Sequence, residues 1–373
     1  MFNPRRLEFA LYRRGLSIAA LAERLEVTTR TIRNYLASTS KSEPDVQLLE
    51  KILKFPANFF MTTDDLPVLD EDQVSFRANS RTSARLKRLA RTYGVIAFML
   101  NNWLEERFEL KKADLPDLSE YTPEHAAQVL RAEWGLGIRP ITNMVELLES
   151  KGIRIFSLEI ETSEVDAFCA WNNSTPFIFL NNQKSAERSR FDSAHELGHL
   201  VRDIHNMKHE PELLRTDATK PSCERDLDNS RNIEKNANEF ASAFLMPKEA
   251  LLPLKYQSIN SIEELIKLKS VFGVSLTALA YRLYKLEIIS EWMYTRILLP
   301  QIARLGYRKK EPQPMARDTS RVWAQLFTYL DEDKISIIDI AKELNIDSND
   351  IEKLTFGLVN NKPHSIYHLR MVK

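Results

Sequence analysis

Apolar residues recur at helical spacing along most of this chain and shift to strand spacing in one central region. Over residues 5–63 the pattern is one of short amphipathic helices with tight connections. Ser17 is placed to cap a helix running to about Leu25, with Ile18, Leu21, Ala22 and Leu25 on its buried face. Thr28 or Thr29 caps a second helix through Tyr35 and Leu36. Ala22 is small where two crossing helices come closest, and Val27 and Ile32 supply the apolar wedge between them, which is helix-turn-helix spacing. Leu66 to Asp72 is rich in proline and acid and reads as a linker. Helices then dominate to about Ser150, including Thr122–Trp134 and Ile141–Ser150. After Lys151-Gly152 the period changes. Ile153–Phe156, Ala167–Trp171 and Phe177–Leu180 are predicted strands, with a turn at Asn172–Pro176 and a small antiparallel sheet as the expected result. A helix from about Ser185 to Arg202 follows, with Ala194, Leu197 and Val201 as its apolar stripe. Beyond a linker at Pro300–Pro314, Ile340–Ile346 with Ile351 and Leu354 repeat a weaker helix-turn-helix rhythm.

The chain has 373 residues, enough for two to four domains, and its 43% hydrophobic and 28% charged content suits a globular protein with ample core. No apolar run approaches a membrane span, no secretory leader is visible, and two cysteines are too few for a disulfide framework. A cytoplasmic location is the expectation. Net charge is zero, but its distribution is not even. Residues 1–63 hold ten Arg or Lys against six Asp or Glu. From Gln73 to Leu104 six basic residues (Arg77, Arg81, Arg85, Lys87, Arg88, Arg91) meet no acid. That polarity is expected where one end meets nucleic acid, although a solvated helix face also explains the second run. The second helix of the front pair points Thr28, Thr29, Arg30 and Arg33 outward, hydroxyls suiting phosphates and arginine suiting guanine edges of double-stranded DNA. Its turn carries Glu26 where glycine is common, at some backbone cost.

The candidate chemistry lies at His195-Glu196-Leu197-Gly198-His199. A helix advances about 100° per residue, so the two imidazoles share a face and can grip one metal ion, with Glu196 beside them to act on a water. Such an arrangement suits zinc-dependent peptide hydrolysis. Gly198 inside the helix implies that something packs closely against the ligand pair. A catalytic zinc needs a third protein ligand and an open position. His205 has metzincin spacing, but Arg202 replaces the glycine that lets the chain turn. Glu234 and Glu239 lie on a helix in which Glu234, Ala237 and Ala241 share one small-residue face, and Glu239 does not, which favours Glu234. Cys223, expected in a polar loop over Asn206–Arg231, is a less favoured thiolate donor that could block the open position.

Arg190-Phe191-Asp192-Ser193-Ala194, then Glu234-x-x-Ala237-Asn238-x-Phe240-Ala241 and Phe244-Leu245-Met246-Pro247, resemble the ImmA/IrrE family of zinc metallopeptidases from about Thr122 to Pro247. The front segment resembles the lambda-repressor or Xre type of domain, and Val274–Leu283 is similar to members with a fused Xre domain. The resemblance implies His195, His199 and Glu234 as zinc ligands, Glu196 as general base, and a protein substrate, typically a helix-turn-helix repressor. Asn236 departs from the family, where an acid is frequent. The expected fold is multidomain and mainly α, with an α+β zinc-metallopeptidase-like domain. Its expected divisions are a helix-turn-helix domain at 1–65, a basic helical linker region at 66–120, the peptidase-like domain at 121–255, a helical extension at 256–311 and a C-terminal helical domain at 312–373. The expected function is a DNA-binding regulator with a zinc endopeptidase domain that cleaves a protein partner, with a second copy of the chain as a further partner. The alternative is a non-proteolytic transcription factor, or a toxin–antitoxin or phage-defence component, that uses the peptidase-like domain to sense or bind.

Overall fold

The computed structural model describes the whole chain except residues 1, 40–42, 64, 68, 70–73, 79–83, 161–164, 204–222, 257–258, 260, 359–369 and 372–373. His205, His209 and Arg81 lie outside the described residues.

The head is built from α1 (Pro4–Arg14), α2 (Ile18–Arg24), α3 (Thr29–Leu36) and α4 (Val46–Leu53), closed by a 3-10 turn at Ala57–Met61. Asn3, Ser17, Thr28 and Asp45 each turn a side-chain oxygen back onto the first free amides, so all four helices start on a polar cap. Between α2 and α3 the turn is made by Glu26 at φ 55, a left-handed conformation carried without glycine. Val27 N–H donates to the Ala22 carbonyl at 3.0 Å to close it. Leu7, Leu21, Ile32, Leu49, Phe55 and Phe59 fill the centre with no exposure.

Residues 66–120 correct the expectation of a basic helical linker. They supply an edge strand β1 (Val74–Ala78), the long helix α5 (Ala84–Glu105) and a short strand β2 (Phe108–Glu109). From Ala90 onward α5 is a core helix, with Tyr93, Ile96, Phe98, Leu100 and Trp103 buried. Its basic residues belong to the first turns only. Spacing alone could not separate these two halves, because the apolar run is as long as a helix needs and is buried almost all round.

The central unit follows: α6 (Pro123–Glu133), α7 (Met144–Ser150), β3 (Arg154–Leu158), β4 (Val165–Asn172), β5 (Thr175–Asn181), α8 (Ala186–Arg202), α9 (Cys223–Leu245) and α10 (Lys248–Leu251). The sheet order is β1-β4-β5-β3. It is mixed, which corrects the antiparallel expectation: β4 pairs antiparallel with β1 and β5, but β3 runs parallel to β5. β3 is buried on both faces, as strands in parallel pairs usually are, whereas a one-sided antiparallel strand would alternate. Phe156, Phe168, Phe177 and Phe179 face α5, with the Phe98 and Phe177 rings 4.7 Å apart. Ile155, Cys169, Ile178 and Leu180 face the opposite core, shared with Ala194, Leu197 and Val201 of α8. α9 begins at Cys223, so part of the expected polar loop is helical.

The remaining helices are α11 (Ile262–Phe272), α12 (Leu276–Lys285), a π-helical stretch Met293–Leu298, α13 (Leu299–Arg304), α14 (Arg321–Glu332), α15 (Ile337–Leu344) and α16 (Ser348–Leu354), with β6 (Arg370–Met371) pairing β2. The second helix-turn-helix rhythm is real, with Asn345 at φ 54 in its turn. Its second helix, α16, faces inward: Asp350, Ile351 and Leu354 are buried. Arg13 of the head reaches Asp350 at 2.8 Å, and Arg14 reaches Asp347 at 3.3 Å. This helix therefore contacts the protein itself.

Candidate metal centre

The site is assembled from two helices that lie against one another on the far side of the sheet from the head. Ser185 caps α8, accepting from Arg188 N–H at 3.3 Å, and the helix runs unbroken through the histidine motif. Two buried ion pairs hold it from the side: Glu187 with Lys269 of α11 at 2.8 Å, and Arg190 with Asp318 at 2.6 Å. Gly198 answers the close-packing expectation. A Cβ at this position would stand 3.0 Å from the Phe240 ring of α9, so glycine lets that ring seat directly on α8. Ala237 and Ala241 are buried on α9, while Glu239 is exposed. At its far end α9 is clamped by arginines: Arg131 donates to the Phe244 carbonyl and Arg282 to the Met246 carbonyl at 3.1 Å. Cations at those last carbonyls complement the helix dipole.

This packing brings together His195, His199 and Glu234. The two Nε2 atoms are 3.0 Å apart, Glu234 Oε2 is 3.3 Å from His195 Nε2, and Glu234 Oε1 is 3.6 Å from His199 Nε2. Among the described residues these three form the one group of donors placed to share a metal ion. Ligands bonded at about 2.0–2.1 Å in a tetrahedral zinc site stand roughly 3.3 Å from each other. The observed separations bracket that value, and two imidazoles plus one carboxylate leave a fourth position open. The residues fit zinc.

The electrostatics agree. Burial disfavours a charged His199, but the Asp203 and Glu234 carboxylates outweigh it and push its pKa up to about 10. Burial would likewise raise Glu234, yet the two imidazoles hold it well below the usual carboxylate range. Both shifts mark a site that favours positive charge among these three side chains.

Two neighbours went unnoticed in the sequence. Asp203 accepts from His199 Nδ1 at 2.7 Å, which turns Nε2 toward the ligand position. Its spacing, four residues past His199 on the same helix, was the available signal. Cys169 of β4 lies near Glu196, and burial, then the charge of that carboxylate, pushes its thiol well above the usual range. No local pattern links the two. Glu196 itself is fully buried, and of Cys223 the structure describes only the helix it begins. A cleft of about 1120 Å³ reaches Glu234 and is walled by α8, α9, α12 and Arg308. In the head, Thr28 caps α3 and Thr29, Arg30 and Arg33 are exposed along it.

Residues 148–284 match the peptidase family model described as IrrE N-terminal-like domain, and residues 10–56 match the model described as Helix-turn-helix. The chain joins a helix-turn-helix domain to an IrrE-like, peptidase-like domain. The peptidase match runs past residue 255, the expected boundary, and takes in α11 and most of α12. α11 and α12 share the core of α8 and α9, so the unit that carries the candidate metal site includes them. Among solved structures, a Mycobacterium tuberculosis transcriptional regulator is 16% identical, with 52% of each chain covered and a TM-score of 0.31. This chain spans about half the length of that regulator. No curated protein matches the chain. No helix among the described residues is long and apolar enough to cross a membrane.

Proposed function

We propose that this protein is a DNA-binding regulator whose IrrE-like domain is a zinc-dependent endopeptidase acting on a protein partner. The observation that carries the reading is the convergence of His195, His199 and Glu234 at ligand spacing beside the buried carboxylate of Glu196. Zinc, when bound there, would polarise a peptide carbonyl and ease ionisation of a water. His195 and His199 would hold it with neutral imidazoles, Asp203 fixing the orientation of the second ring. Glu196 would take the proton of the attacking water and return it to the leaving amine, and its burial excludes bulk solvent from that exchange. The cleft that Glu234 helps to line is large enough for an extended peptide segment. Thr28, Thr29, Arg30 and Arg33 would read the operator from the exposed face of α3.

A second reading has its own support. α5 passes from the side of the head to the underside of the sheet, and Arg13 and Arg14 tie the head to α16. So intimate a junction suits a transcription factor that uses the peptidase-like domain to sense or bind a partner.

The experiment that separates the two is co-expression of the chain with its genomic neighbour. Glu196→Gln should keep about one zinc per chain but abolish neighbour cleavage, as should a chelator acting on the unaltered protein. Wild-type cleavage by Glu196→Gln would remove Glu196 from the mechanism. Salt-dependent promoter binding with no cleavage of any partner would favour the second reading.

A further inference from the structure

The geometry points to a phosphate-binding ridge on the first turns of α5, made by Arg85 and Arg88, that lengthens the duplex-DNA interface of the head. This inference rests on the DNA-binding reading of the helix-turn-helix.

No acid occurs between Ala84 and Leu104, and Arg85 and Arg88 are exposed, with Lys87 and Arg91 half-buried beside them. The two exposed cations are fixed to the head. Arg85 Nη2 donates to the Gly15 carbonyl at 3.0 Å, and the Arg88 guanidinium lies 5.1 Å from the centre of the Tyr12 ring. Gly15 ends α1 two residues before Ser17, the cap of α2. When a helix-turn-helix docks, its second helix enters the major groove and its first crosses the sugar-phosphate backbone. In this head those are α3, with Arg30 and Arg33, and α2. The ridge therefore stands at the entrance of the backbone-crossing helix, where the strand leaves the groove.

Capping of α1 accounts for part of this arrangement, since a cation at the last carbonyls is stabilising. It engages one of the five N–H donors of Arg85 and does not involve Arg88, whose guanidinium lies by the Tyr12 ring. Glu8, the acid beside Tyr12, accepts from the Tyr12 hydroxyl at 2.7 Å. A ridge of this kind adds affinity without sequence preference, because phosphates carry charge but no base identity.

The test measures binding of the full-length protein to a short random-sequence duplex by fluorescence anisotropy across about 50–200 mM NaCl. Three variants are compared with wild type: Arg85→Gln/Arg88→Gln, Arg85→Lys/Arg88→Lys and Arg30→Ala/Arg33→Ala. Each phosphate contact contributes about 0.9 to the slope of log K against log salt, so the glutamine pair should flatten it by about 1.8 and weaken low-salt binding roughly tenfold or more. The lysine pair should keep most of the slope, which separates charge from folding. If wild type binds, the α3 variant weakens and the glutamine pair matches wild type in affinity and slope, the ridge is refuted while the head's role stands. Failure of wild type to bind any duplex removes both. Loss of binding to anionic vesicles with unchanged DNA binding would assign the ridge to a membrane surface and also overturn it.

Discussion

At the scale of single residues, the candidate metal centre is organised by groups that do not themselves reach the proposed metal position. Asp203 holds His199 Nδ1 at 2.7 Å, so Nε2 is the nitrogen left to coordinate. Asp203→Asn should lower zinc affinity by about 10–100-fold with little change in the far-UV circular dichroism spectrum, as is usual when a ligand's outer partner is lost. Zinc affinity should also fall with pH. The metal needs a neutral imidazole, whereas burial, which would favour that form, is outweighed by the Asp203 and Glu234 carboxylates, which keep His199 protonated up to about 10. Each unit of acidification should cost up to about tenfold in affinity, and less in Asp203→Asn. Competition titrations with a chromophoric chelator would measure both; a pH-independent affinity would contradict the proton competition. Cys169 also stays outside the metal position, a neutral buried thiol near the carboxylate proposed as base.

Between elements, what matters is how closely α8 and α9 approach. The Phe240 ring sits where a side chain at 198 would be, which brings Glu234 within ligand distance of both imidazoles. Gly198→Val would force the helices apart or the ring aside. We expect a loss of about 1–3 kcal/mol in urea unfolding, together with weaker zinc binding. Retention of wild-type zinc affinity would mean that α9 is positioned by its arginine clamps alone. A second junction joins α7 to the start of α14. The buried Glu149 carboxylate accepts from the backbone amides of Arg321 and Val322 and from the Ser320 hydroxyl. Burial, the largest influence, outweighs those bonds and raises its pKa from 4.5 to about 7. The folded protein thus holds this proton more tightly than the unfolded chain. Its contribution to stability is complete below about 4.5 and is lost as pH rises through about 7. Glu149→Gln, which keeps acceptor and donor without a charge, should remove that part of the decline between pH 5 and 8 when melting is followed across pH.

For the molecule as a whole, the head and the C-terminal helices are locked through charges that water cannot reach. Arg13 and Asp350 are exposed by 3% and 1% at their side chains, and Arg13 also lies 3.6 Å over the Tyr93 ring of α5. Removing one partner strands the other, at a cost of about 3–5 kcal/mol. Asp350→Ala should therefore destabilise far more than an apolar replacement of Arg13 and Asp350 together. A double-mutant cycle in urea would show strong coupling, and additive losses would mean the pair is solvated in solution. Because α5 carries the proposed phosphate ridge at one end and packs beneath the sheet at the other, the proposed DNA contact and the IrrE-like unit share one helix.

Much of this architecture was legible before any coordinates. Caps at Ser17, Thr28, Thr122 and Ser185, the three central strands, and the two imidazoles on one face are all written within one or two turns of chain, where local spacing decides. Even Glu234 could be singled out, because the small face of its own helix is a local property. Tertiary structure decided the rest. Whether β3 pairs parallel or antiparallel, whether α5 is a linker or a core helix, and that Cys169 meets Glu196 depend on which buried faces find each other across long stretches of chain. Apolar burial is non-directional, so a sequence can specify that a face is hidden without specifying its partner.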